Sequence, residues 1–99
     1  MKMDLQTVGF NADVTLTDYA RAKTESLYKF YDQIVGAEVY LKLDNHDKKL
    51  TKVAEIKLNI PGNDIYAESR GEKFEGAINE TIEKLKMQLR KVKTKLAAH

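Results

Sequence analysis

Lys84, Gln88, Lys91 and Lys95 follow one another at intervals of four, three and four residues. On a helix that spacing sets three ammonium groups and one amide along a single line. A row of hydrogen-bond donors along a helix edge can follow successive phosphates, which scattered lysines cannot. Lys86, Arg90 and Lys93 fall on the opposite flank of the same helix and form a second basic ridge. The whole stretch from Lys84 to His99, KLKMQLRKVKTKLAAH, holds six basic residues and no acidic one. Residues 1–83 contain the other 11 Lys and Arg against all 15 Asp and Glu, so a net of −4 is followed by a net of +6. Charge gathered on one element in this way is the footprint of a surface that meets a polyanion, nucleic acid above all. Cations do favour a helix C-terminus. Over three turns, however, they also repel one another, so folding alone does not account for them.

Other residue types offer less. An earlier segment adds Arg21, Lys23 and Lys29, offset by Asp18, Glu25 and Asp32. Lys23 shares a helical flank with Tyr19, Ser26 and Phe30, which would set it at a groove between two adjacent helices. Tyr19, Tyr28, Phe30 and Tyr31 would suit base stacking, although aromatics at this spacing more often build a core. The two histidines, His46 and His99, have no evident partner. Acidic residues show neither a paired-carboxylate nor a metal-ligand spacing, and the glycines are isolated rather than gathered in a phosphate-binding loop. No catalysis, no metal and no cofactor are therefore expected.

The elements that must carry these residues can be read from periodicity. Residues 2–10 form a first strand with a phase change before Gly9, which suggests a bulge or a strand end near Thr7. Thr15 and Asp18 resemble a capping box. Leu16, Ala20, Leu27, Tyr31 and Ile34 then recur at helical spacing, and Gly36 stands where a left-handed glycine would stop that helix. Val39, Leu41 and Leu43 alternate with polar residues, as do Ala54, Ile56, Leu58 and Ile60; Asp44 to Lys49 reads as a polar loop between them. Pro61-Gly62-Asn63-Asp64 is a turn, Ile65 to Arg70 a fourth strand. The last helix runs from about Glu72 to Leu96 on a seam of Phe74, Ile78, Ile82, Leu85, Leu89, Val92 and Leu96. The order β-α-β-β-β-α implies an α+β fold: a two-layer sandwich with a four-stranded, mainly antiparallel sheet and both helices packed on one face. At 99 residues, 42% hydrophobic and 32% charged, the chain suits one globular domain spanning 1–99. It lacks an apolar run long enough to span a bilayer, a signal-peptide pattern and any cysteine. A cytoplasmic protein, monomeric when free, is the expectation.

Three stretches in order resemble a known family. They are LTDYARAKTESLYKFYD, with Leu16, Tyr19, Lys23, Leu27, Lys29 and Tyr31-Asp32; IPGNDIYAES; and AINETIEKLKMQLRKVKTKL, with Ala77-Ile78, Lys84-Leu85, Gln88-Leu89, Lys91, Lys93 and Lys95. The chain resembles the short type of ribosome hibernation-promoting factor, a group also known as ribosome-associated inhibitors or sigma-54 modulation proteins. The resemblance implies a non-enzymatic translation inhibitor. Such a protein would bind small-subunit ribosomal RNA in the channel used by messenger RNA and the A- and P-site transfer RNAs, silencing idle ribosomes. It also implies that Lys23, Lys29, Lys84, Gln88, Lys91 and Lys95 face the RNA, with Lys86, Arg90 and Lys93 as weaker candidates. Two other readings stay open. The α-β-β-β-α order of residues 15–96 is that of the double-stranded-RNA-binding domain, although Glu72-Lys73-Phe74-Glu75 would repel phosphate where that domain binds it. A basic module docking on an acidic protein that acts in transcription is the third.

Overall fold

Strand alternation puts one set of side chains from each strand on a common side, and the computed structural model shows that side to be the core. It describes residues 1–46 and 49–97. Six elements follow in order: β1 (Lys2–Val8), α1 (Val14–Phe30), β2 (Gly36–His46), β3 (Lys49–Asn59), β4 (Asp64–Gly71) and α2 (Phe74–Ala97). The four strands make one sheet in the order β1-β2-β3-β4. β1 is parallel to β2, joined through the α1 crossover, and the two remaining pairs are antiparallel. In register across β2, β3 and β4 stand Val39, Ile56 and Ala67, with Leu41 and Ala54 to one side and Ala37, Leu58 and Ile65 to the other, all buried. Ala20 and Leu27 of α1 and Phe74, Ile78, Leu85 and Leu89 of α2 close this face into a single core. The opposite face bears Glu38, Tyr40, Lys42, Glu55, Lys57, Tyr66, Glu68 and Arg70 and is open to solvent. Val53 is the exception there. It is 2% exposed because its register partners Lys42 and Arg70 flank it, and their aliphatic stems can cover an apolar neighbour.

Several boundaries differ from the sequence expectation, each for a local reason. β1 stops at Val8 rather than running to residue 10, in keeping with the strand end expected near Thr7, since Gly9 adopts φ +86° and a Cβ there would stand 3.0 Å from the Leu43 carbonyl oxygen. The N-cap of α1 is Asp13, not Thr15: its Oδ1 accepts the Leu16 N–H at 2.9 Å. Gly36 does not end α1. The helix ends at Phe30 with Tyr31 extended, and Tyr31 and Ile34 remain buried although the chain is no longer helical. Gly36 instead opens β2, where a Cβ would come within 3.1 Å of both the Lys2 carbonyl and Asn59 Oδ1. Most of the supposed polar loop is strand, because β2 and β3 pair as far as His46 and Lys49. Asp47, His99 and the side chain of Leu96 lie outside the described residues.

The two helices run in the same direction. Near their starts the Tyr19 hydroxyl donates to Asn79 Oδ1 at 2.8 Å. Near their ends the Lys93 ammonium donates to the Phe30 carbonyl at 3.2 Å. Asp13, Asp18, Glu75 and Glu80 therefore collect at the N-terminal ends of both helices, and Lys29, Arg90, Lys91, Lys93 and Lys95 at the C-terminal ends.

Candidate nucleic-acid interface

Burial of Leu85 and Leu89 fixes the roll of α2, so its two basic ridges have different neighbours. The first ridge runs along the outer edge of β4. Lys84 Nζ donates to the Glu68 carbonyl at 2.7 Å and Gln88 Nε2 to the Tyr66 carbonyl at 2.8 Å. These are main-chain acceptors of an edge strand with no further strand to pair with. Lys84 and Gln88 thus spend donors on the fold itself. Lys91 and Lys95, one and two turns on, are exposed, and neither forms an ion pair with another described residue.

The second ridge faces α1. Lys93 Nζ lies 4.6 Å from the Phe30 ring centroid and the Arg90 guanidinium carbon 5.7 Å from it. Lys86 pairs with Glu83 at 3.5 Å. Across the groove, Lys23 is half-buried with Nζ 5.6 Å from the Tyr19 ring centroid. Tyr19, Lys23, Ser26 and Phe30 consequently line one wall, and Asn79, Glu83, Lys86, Arg90 and Lys93 the other. Four cations face one carboxylate along this groove. Lys29 stands exposed in the last turn of α1, beside its basic end.

The sequence-derived set is therefore divided by the fold. Lys23 and Lys29 do not share a surface with Lys84 and Gln88, which lie on the far side of α2. They share one with Arg90, Lys93 and Lys86, the residues that the resemblance ranked as weaker candidates. What spacing cannot supply is which flank of α2 meets the other helix and which meets the sheet edge. The pairing of Phe30 with the last turns of α2 was signalled only by an aromatic at the end of α1.

The open sheet face is a poor alternative for phosphate. Among the residues with described side chains, its cations on β2, β3 and β4 are engaged: Lys42 with Glu55 at 2.5 Å, Lys57 with Glu38 and Asp64, and Arg70 with Asp44 and Glu68. This leaves only Lys2 of β1 without an ion pair there. The hydrogen bond that Lys42 donates to Glu55 raises its pKa above the ordinary value, and the one that Lys57 donates to Glu38 does the same for Lys57. Tyr66 shares its single proton between Glu55 and Glu68, each oxygen 2.9 Å away, and its pKa rises through burial and through both contacts. Among the described residues no three metal-ligating side chains converge, and no helix is long and apolar enough to cross a membrane.

Comparison with known proteins agrees with this architecture. Residues 3–97 match the family described as sigma 54 modulation protein / S30EA ribosomal protein. A ribosome hibernation promoting factor of Klebsiella oxytoca is 34% identical, with 98% of this chain and all of that protein covered. Its counterpart from Escherichia coli K12 is 33% identical with the same coverage. Among solved structures, a ribosomal subunit interface protein from Coxiella burnetii superposes with a TM-score of 0.84 at 19% identity, covering 95% of this chain and 99% of that one. The N-terminal domain of Protein Y from Thermus thermophilus gives 0.78 at 22% identity, over 93% and 99% of the two chains. At these identities the two structures establish the shared fold.

Proposed function

The chain belongs to the sigma 54 modulation protein / S30EA ribosomal protein family, and from that premise we propose that it is a ribosome hibernation factor acting by occupation rather than by catalysis. It binds ribosomal RNA of the small subunit in the channel that messenger RNA and the A- and P-site transfer RNAs use, and so keeps idle ribosomes silent. This would place it in the cytoplasm. The observation that carries the RNA reading is the set of cations along the inter-helix groove and at the C-terminal ends of both helices: Lys23, Lys86, Arg90 and Lys93 along the groove, Lys29 at the end of α1, and Lys91 and Lys95 exposed in the last turns of α2. Lysines on a rigid helix act as point charges, so phosphate contact and shape dominate over base readout. Arg90 and Phe30 add a planar cation and an aromatic ring at one spot, the pair best suited to touching an unstacked base. Lys84 and Gln88 contribute by holding α2 against the sheet.

Co-sedimentation through sucrose gradients tests the reading. The protein is expected with the small-subunit and single-ribosome fractions at low salt and at the top of the gradient at high salt. Recovery at the top under both conditions would overturn it.

A further inference from the structure

The two edges of the sheet are treated differently. The β4 edge is sealed by Lys84 and Gln88, which occupy its outward carbonyls at Glu68 and Tyr66. The β1 edge has no such seal. The Lys2 N–H donates to the Val35 carbonyl, so Lys2 turns its main-chain groups toward β2. By strand alternation Met3, Leu5 and Thr7 turn theirs outward. No described group bonds to them on that side. β1 is seven residues long and contains no proline, one of the usual means of blunting an edge. A groove of about 300 Å³, lined by Leu5, Thr7, Thr17 and Arg21 among others, runs beside it.

We propose that this edge pairs with β1 of a second copy, antiparallel and centred on Met3, to give a continuous eight-stranded sheet. Charge and hydrophobicity select both partner and register. A two-fold axis at Met3 sets Lys2 opposite Asp4 of the other copy, twice. Asp4 stands beside Glu38 in the β1–β2 register, and its hydrogen bond within the chain is a long 3.4 Å contact from Gln6. No cation of the described chain pairs with it, and a Lys2 from the partner copy would supply one on the open face. On the helix face the same register sets Met1 opposite Leu5 and Met3 opposite itself, apolar against apolar. Centring on Asp4 would oppose two carboxylates. Centring on Leu5 would leave Lys2 facing Val8. Opposite charges directly across a strand pair stabilise it and like charges destabilise it.

The pairing is independent of RNA binding, since β1 and β4 are opposite edges and the α2 ridges remain at the two ends of the joined sheet. One strand pair is a small interface, so association is weak and the monomer is the dilute form.

Sedimentation velocity and amide exchange across a concentration series up to millimolar test it. The native chain is expected to dimerise with concentration while exchange at the Met3 and Leu5 amides slows. Asp4→Lys and Lys2→Asp each weaken association by about tenfold or more. An equimolar mixture of the two variants restores it, because each Lys then faces an Asp. A chain that stays monomeric at millimolar concentration would overturn the proposal. So would single variants that associate like the native chain, or a mixture that fails to recover.

Discussion

Lys93 and Phe30 are joined twice: the ammonium lies 4.6 Å from the ring centroid and donates to the backbone carbonyl of the same residue at 3.2 Å. The contact fastens the last turns of α2 to the C-terminal end of α1. Phe30→Leu keeps an apolar side chain but removes the ring face, and should cost about 0.5–1 kcal/mol in urea unfolding. An unchanged midpoint would mean that the carbonyl contact alone holds the helix ends together.

The two ridges of α2 should separate in function. Charge reversal in the groove, Lys23→Glu with Arg90→Glu and Lys93→Glu, is expected to lower ribosome affinity about a hundredfold. Lys84→Met should leave that affinity within about twofold while lowering stability by about 1 kcal/mol, through loss of the hydrogen bond to Glu68. Titration of labelled protein with purified small subunits distinguishes the cases. The opposite ranking would return the interface to the ridge along β4.

Binding through phosphates releases counterions. With roughly five phosphates engaged, the logarithm of affinity should fall against that of salt with a slope of about −3 to −5. Lys91→Gln with Lys95→Gln should flatten this slope by about one to two. A slope near zero would mean that uncharged contacts dominate.

Asp13→Ala removes the acceptor that caps α1 and should cost about 1 kcal/mol, or about 4–8 °C in Tm for a domain of this size. Thr15→Ala, at an exposed position inside the first turn, should be nearly neutral. Thermal unfolding followed by circular dichroism measures both.

The Tyr66 hydroxyl is neutral in the fold at a pH where the unfolded chain has begun to ionise. The folded state therefore holds its proton more tightly, and stability falls as pH rises above the ordinary value of about 10. The raised pKa values of Lys42 and Lys57 act in the same direction and the same window. Tyr66→Phe should make the alkaline decline shallower without abolishing it. An identical decline in both proteins would remove Tyr66 as a contributor.

Much of this fold was legible in one sequence, and the exceptions share a cause. Val39 and Leu41 against Ile56 and Leu58 declared their buried face by alternation, because one side of the sheet is wet. Phe74, Ile78, Leu85 and Leu89 declared theirs by a helical period. Asp13 and Thr15 are both good caps two positions apart, and only the backbone hydrogen bond to Leu16 decides between them. Gly36 was ambiguous because glycine serves either a left-handed turn or a close approach, and here Lys2 and Asn59 require the second. For the candidate site, periodicity placed the cations on the correct element and sorted them into two ridges. It could not say which ridge adjoined Phe30 and which the carbonyls of β4, because those neighbours arrive only with the tertiary fold.

The parallel course of the two helices has an electrical consequence. Both N-terminal ends carry partial positive charge beside Asp13, Asp18 and Glu75, and both C-terminal ends carry partial negative charge beside Lys29, Lys93 and Lys95. The side chains outweigh these partial charges, so a chain of formal net charge +2 still has a long axis with unlike poles. Near a polyanion such an object experiences a torque before it experiences a contact, within the Debye length of about 8 Å at physiological salt. Its encounters are sorted by orientation, and raising the salt should slow productive association even where the final contacts are unchanged.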